Sequence, residues 1–131
     1  MRKQYHFWPG EHGWDAWDVD RLIRLTQGFP VVDVPLDSIG EIDTVYWFHG
    51  ENDLPTVRNV VTHARPIRDV DPSYPVILGS DGRVMDGMHR IARALLEGRR
   101  TIPAVRFSAH PEPDYRNCGP DDLPYPEDRR S

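Results

Sequence analysis

The run Asp86-Gly87-Met88-His89-Arg90 gathers the side chains of this chain best suited to chemistry. A short strand, Arg83 to Met85, leads into Asp86-Gly87, and a helix starts with a histidine and an arginine in its first turn. The first amides of a helix have no partner within it, and the macrodipole adds partial positive charge there. With the donor fork of Arg90 beside them, those amides make a site for a phosphate or carboxylate. Gly87 removes a Cβ from the path of a ligand. His89 changes charge near neutral pH, so it could donate to a phosphate or act as a general acid. The site therefore comprises Asp86, Gly87, Met88, His89 and Arg90.

Each of these residues also has a plainer reading. Asp86 could be only a helix N-cap, worth about 1 kcal/mol. His89 could pack beside Ala92, and Arg90 could pair with a surface carboxylate. Met88, Ile91 and Leu95 stand at i, i+3 and i+7, which predicts a core-facing stripe. Arg93 and Glu97 are spaced as a solvated i,i+4 pair.

Several elements must hold that corner in place. Tyr74 to Leu78 reads as a strand, Ser80-Asp81-Gly82 as a hairpin turn and Arg83 to Met85 as the return strand. The helix from Gly87 to Glu97 ends at Gly98, and Thr101 to Phe107 is a final strand. Upstream, His6 to Gly13 reads as an aromatic loop. A helix is predicted from Asp15 to about Gln27, with Asp15 as N-cap, a Trp14–Val19 staple and an apolar stripe of Trp14, Trp17, Leu22 and Leu25. Val31 to Pro35 is a strand and Leu36 to Ile39 a turn. Thr44 to Phe48 has the composition of a strand. Thr56 to about Ala64 reads as a helix, with Val57, Val60 and Val61 on one side and Pro66 marking its end. From Ser108 onward, proline and acidic residues predict an irregular, partly disordered tail, so a single domain over 1–107 is followed by a tail over 108–131.

Composition narrows the function classes. A chain of 131 residues can bury one core without disulfides, and its single cysteine, Cys118, precludes an internal one. The formal net charge of -5 disfavours binding along duplex DNA. No apolar run approaches a membrane span and Met1 to Phe7 lacks a signal-peptide core, so a cytoplasmic protein is expected. His6, His12, His49, His63 and His110 have no metal-ligand spacing, and no structural metal is expected. Four tryptophans, Trp8, Trp14, Trp17 and Trp47, could stack a base but more simply build core and a lid over it.

The order strand, hairpin turn, strand, Asp-Gly-x-His-Arg, helix, glycine, then Ile102-Pro103-Ala104-Val105 resembles the ParB/sulfiredoxin superfamily. The likeness covers roughly Val31 to Phe107 and is strongest from Tyr74 onward. It implies an α+β fold, a small mixed β-sheet with packed helices, and nucleotide phosphates held at Asp86 to Arg90. Sulfiredoxins carry a catalytic cysteine where this chain has Met88, and a thioether supplies no thiolate. ParB proteins add a helix-turn-helix domain for which there is no room here. In motif the chain is nearest to free serine kinases, which carry Asp-Gly-His-His-Arg and a glutamate base after the first strand. Glu41 is the candidate base on that pattern, with Asp43, Glu51 and Asp53 as competitors and a plain exposed turn carboxylate as the alternative. Arg65 and Arg68 could reach a nucleotide's outer phosphates, or be surface charges.

The expected activity is a phosphotransferase or nucleotide hydrolase using ATP, ADP or CTP, with Mg²⁺ if it is catalytic. Glu41 and His89 would be its catalytic groups, and Asp86 to Arg90 with Arg68 would bind the ligand. The alternative is a non-catalytic module for a nucleotide or other phosphorylated ligand that signals to a protein partner. A DNA-binding or nuclease accessory is the third reading.

Overall fold

The computed structural model describes residues 3–119 and 122–124, and its mixture of helices and small sheets is an α+β fold. In chain order the elements are β1 (Tyr5–Pro9), β2 (Trp14–Asp18), α1 (Val19–Leu25), β3 (Val32–Pro35), α2 (Val57–Asp69), β4 (Val76–Leu78), β5 (Val84–Asp86), α3 (Met88–Leu96), β6 (Thr101–Arg106) and β7 (Tyr115–Cys118). Two short 3-10 turns, Leu36–Ser38 and Gly40–Asp43, follow β3.

The central sheet has the order β3-β6-β4-β5, with β4 and β6 parallel and the two outer pairs antiparallel. Val76-Ile77-Leu78 is apolar at every position, as a strand covered on both faces must be. Side chains alternate across a strand. Val76, Leu78, Val84, Ile102 and Ala104 thus meet Met88, Ile91 and Ala94 of α3, while Ile77, Met85 and Val105 meet Trp17 and Leu22 on the opposite side. The sheet is the middle layer, and α3 lies on one face of it.

The hairpin between β4 and β5 forms at the expected turn. Gly79 N donates to the Arg83 carbonyl at 2.8 Å, Gly82 N donates to the Gly79 carbonyl at 2.9 Å, and Gly82 takes φ +85°. In α3, Met88 and Ile91 are buried as predicted, but Leu95 is 44% exposed and Ala94 takes the inward place.

The N-terminal region departs from expectation. Residues 5–9 are a strand, not a loop, and the helix expected from Asp15 starts only at Val19. Trp14 to Asp18 instead pairs with β1 on one side and β7 on the other. Aromatic residues suit a half-buried strand, and this tertiary pairing overrides the helical spacing of the two tryptophans. The true N-cap is Asp18, whose carboxylate accepts from Asp20 N at 2.9 Å. The chain after Ser108, expected as an irregular tail, contains β7, and its loop is tied in by Trp17 Nε1 donating to the Pro111 carbonyl at 2.8 Å. Residues 120, 121 and 125–131 lie outside the described residues.

The middle helix also differs. α2 runs through Pro66 to Asp69. Proline removes one helical hydrogen bond, but Arg93 Nη1 donates to the carbonyls of Ile67 and Arg68 and so satisfies the helix end. Thr56 caps α2 as expected, accepting from Asn59 N at 3.1 Å. Val57, Val60 and Val61 share a side, but that side faces solvent, with Val57 84% exposed. Thr44 to Phe48 pairs with no strand among the described residues, and it turns Tyr46 and Trp47 against the α3 core. No helix among the described residues is long and apolar enough to cross a membrane.

His6, on β1, tests the packing of the N-terminal sheet on the central one. Its ring lies 5.5 Å from that of Trp17. Burial, reinforced by the charge of His110 and opposed by Asp81, pushes the imidazole down to about 4. Below about pH 6.5 the unfolded chain takes up a proton that the folded chain refuses, so stability falls from there toward pH 4. His6→Phe keeps a ring and removes that linkage. Between about pH 7 and about pH 4.5, urea unfolding of the variant should lose on the order of 2 kcal/mol less stability than the parent; equal losses would show that His6 is not the linked group.

Candidate functional site

The corner where β5 gives way to α3 is built around Gly87, which takes φ +110° and occupies the cap position of the helix. A residue without a side chain cannot cap, so no side chain bonds the amides of Met88, His89 and Arg90 at the start of α3. The first helical bond runs from Ile91 N to the Gly87 carbonyl at 3.0 Å. Asp86, expected as the cap, stands one residue too early. Its carboxylate accepts from Arg90 Nη2 at 2.9 Å, in a pair whose side chains are only 14% and 18% exposed.

Arg90 folds back across this turn. Its Nη2 also reaches the Pro75 carbonyl at 3.4 Å, and its Nε is buried with no hydrogen-bond partner. A Cβ built on Gly87 would stand 2.6 Å from Val76 Cγ1 and 2.8 Å from Arg90 Nη2. The space beside Gly87 is therefore filled by the protein's own side chains. The expectation that the glycine clears a path for a ligand is corrected on this point. Met88 points into the core, so only its backbone amide faces the corner.

His89 is held by a partner that spacing alone did not single out. Its Nε2 lies 3.0 Å from Nδ1 of His63 on α2. The ring centroids are 5.3 Å apart and the planes differ by 22°, so the imidazoles stand edge to edge, nearly in one plane. The Trp47 indole lies flat over their seam, 4.6 Å from His63 and 4.7 Å from His89, with interplanar angles of 12° and 14°. Stacks of this kind contribute roughly 0.5–1.5 kcal/mol each. Burial, then the charges of His63 and Arg90, push His89 down to about 4 against the opposing pull of Asp86. Burial also lowers His63, with Asp53 opposing. Both rings are neutral near pH 7. His63 lies 26 residues from His89 on a different helix, and no local pattern marks the pairing.

Glu41 is brought to the same region. Its Oε2 accepts from Val84 N at 2.8 Å, covering the free edge of β5. Tyr46 links it to the corner electrostatically: burial, then the negative charges of Glu41 and Asp86, push its hydroxyl up to about 12. Asp53 accepts from His49 N at 3.3 Å and faces His63 rather than Glu41. Arg68 is not brought in. It pairs with Asp69 at 2.7 Å and lines an open groove of about 480 Å³ with Ala64, Ile67, Ala92, Leu95 and Leu96, toward the C-terminal end of α3.

The corner thus offers uncapped amides, a guanidinium with an unpartnered N–H, a neutral imidazole and a nearby carboxylate. The amides and the guanidinium N–H are donors that suit an oxyanion, while the carboxylates of Glu41 and Asp86 oppose one. Comparison with protein-family models, curated proteins and solved structures finds no match to this chain.

Gly87→Ala places a Cβ in a left-handed turn and against Val76. Urea unfolding should show a loss of roughly 2–4 kcal/mol, combining conformational strain with overpacking. A loss below about 1 kcal/mol would mean that the turn can relax, and that the corner is less rigid than its geometry implies.

Proposed function

We propose that this chain binds the phosphates of a nucleotide at the first turn of α3 and transfers or hydrolyses a phosphoryl group there. The observation that carries the reading is the uncapped start of α3, with Arg90 lying across it and its Nε left without a partner. A buried donor without a partner costs about 1–3 kcal/mol, which a bound oxyanion would recover. Likeness in motif to free serine kinases supports the same corner. Glu41 fits the role of base: among the described residues its Oε1 carries no hydrogen bond, leaving one carboxylate oxygen for an acceptor hydroxyl or water.

Mg²⁺ fits the donor set in a limited way. Glu41 Oε1 and Asp86 Oδ1 are the carboxylate oxygens at the corner without a protein partner among the described residues. A nucleotide-borne Mg²⁺ takes one or two carboxylates beside phosphates and water, and neutralises the phosphate charge.

The alternative, a non-catalytic phosphate-ligand module, is favoured by the bond from Val84 N, which gives Glu41 a structural reason to exist. Thermal shift with ATP, ADP and CTP, with and without Mg²⁺, tests binding, since ligand at about 100 times its Kd adds about 2.7 kcal/mol. Arg90→Gln should weaken that binding roughly ten- to a hundredfold, judged against its own ligand-free melting point because the Asp86 pair is lost. Unchanged affinity would remove Arg90 from the site.

Glu41→Gln keeps an acceptor for Val84 N, so its stability should stay within about 0.5 kcal/mol of the parent. Phosphate release should nevertheless fall at least about a hundredfold. Binding without any turnover in the parent would establish the non-catalytic module instead.

A further inference from the structure

The pair formed by His63 and His89 has consequences for the proton inventory of the corner. One proton lies between His63 Nδ1 and His89 Nε2, and two neutral rings can share it in two ways. If His89 Nε2 carries it, His89 Nδ1 is a bare lone pair. If His63 Nδ1 carries it, the second proton of the pair sits on His89 Nδ1 as a donor. Nδ1 is the ring nitrogen nearer the backbone, and His89 belongs to the first turn of α3, whose amides no side chain caps. Among the described residues neither His89 Nδ1 nor His63 Nε2 has a protein partner, and Arg90 Nε is the only buried side-chain nitrogen or oxygen without one. Both outer nitrogens therefore reach solvent.

The charged groups facing the pair are Asp53 from the loop before α2, Asp86 at the end of β5 and Arg90 on α3. Asp53 and Arg90 favour the same arrangement, and Asp86, which draws positive charge toward His89, opposes it with the weaker pull. Asp53 draws positive charge toward His63, which makes His63 the better donor. Arg90 opposes extra positive charge on His89, which leaves its Nε2 as the acceptor. Trp47 covers one face of both rings and keeps them in register.

We propose that His63 is a positioning residue that holds His89 as its Nδ1–H tautomer, so that His89 adds a side-chain donor to the amides that face an oxyanion. The proposal rests on the anion-binding reading of this corner. An oxyanion beside a bare Nδ1 lone pair would be repelled, whereas an N–H there is drawn to it. His63 therefore decides whether His89 helps or hinders the ligand, without touching the ligand itself.

Long-range 15N–1H correlation spectra of the histidine rings of the full chain, near neutral pH, test this directly. The parent should show His89 protonated at Nδ1. His63→Asn supplies an amide N–H in the place of Nδ1 and should preserve that tautomer. His63→Ala should release His89 to the Nε2–H form that free imidazole side chains prefer. In parallel, titration with inorganic phosphate and with ATP should show roughly tenfold weaker binding for the alanine variant and recovery in the asparagine variant, the size of one lost charge-assisted hydrogen bond. His89 found protonated at Nε2 in the parent, or a tautomer indifferent to His63→Ala, overturns the proposal. The expected tautomer pattern with no phosphate or ATP binding in any variant overturns the anion site, while His63's control of His89 stands.

Discussion

Gly87 must take a left-handed φ because β5 is buried on the sheet while α3 has to leave it at once and return across the same face. That single backbone requirement shapes everything near it. It puts a residue without a side chain in the cap position, so the start of α3 keeps its free amides. It also lets Arg90 and Val76 close together on the place where any Cβ would stand. From there the guanidinium reaches Asp86 and the Pro75 carbonyl. The turn, the ion pair and the open amides are one construction.

The energetics of that construction are unevenly distributed. A partly buried ion pair stabilises little relative to apolar groups of the same shape, but losing one partner strands the other charge. Asp86 and Arg90 are in that position, and Arg90 Nε adds a buried donor with nothing to bond. The sheet and α3 supply the compensating stability through Val76, Leu78, Ile91, Ile102 and Ala104. Glycine takes the left-handed turn at no steric cost, so the one unfavourable feature of the corner is the unsatisfied donor, set on a well-packed base.

What was legible in the sequence follows the range of the interactions. The β4–β5 hairpin, α3 and β6 were readable because turn residues, apolar alternation and a helix start all act within a few positions. The sheet of β1, β2 and β7 was not, because Trp14 pairs with Cys118 about a hundred residues away and no local pattern carries that register. The tryptophan spacing in β2 suits a helix equally well, and only the neighbouring strands decide. Pro66 misled for a similar reason: its local effect is to end a helix, and the side chain of Arg93 that supports the continuation comes from α3. Asp86 to Arg90 stood out by residue type, and Glu41 is a turn carboxylate that accepts from Val84 N, two residues before Asp86. Asp86's bond to Arg90 was hidden by its equal fitness as a cap, and the sequence of α2 does not tell that Arg68 lies with Leu95 and Leu96, toward the far end of α3.

α2 shows how the site and the fold are linked. None of its residues is fully buried, and its valines face solvent. It is held through His63, Ile67 and the carbonyls that accept from Arg93, all on the side toward α3. Elements with so few buried contacts open at lower free energy than the core. The His63–His89 bond is therefore also part of the docking of α2 on α3, and the edge-to-edge imidazoles under Trp47 are where the two helices meet.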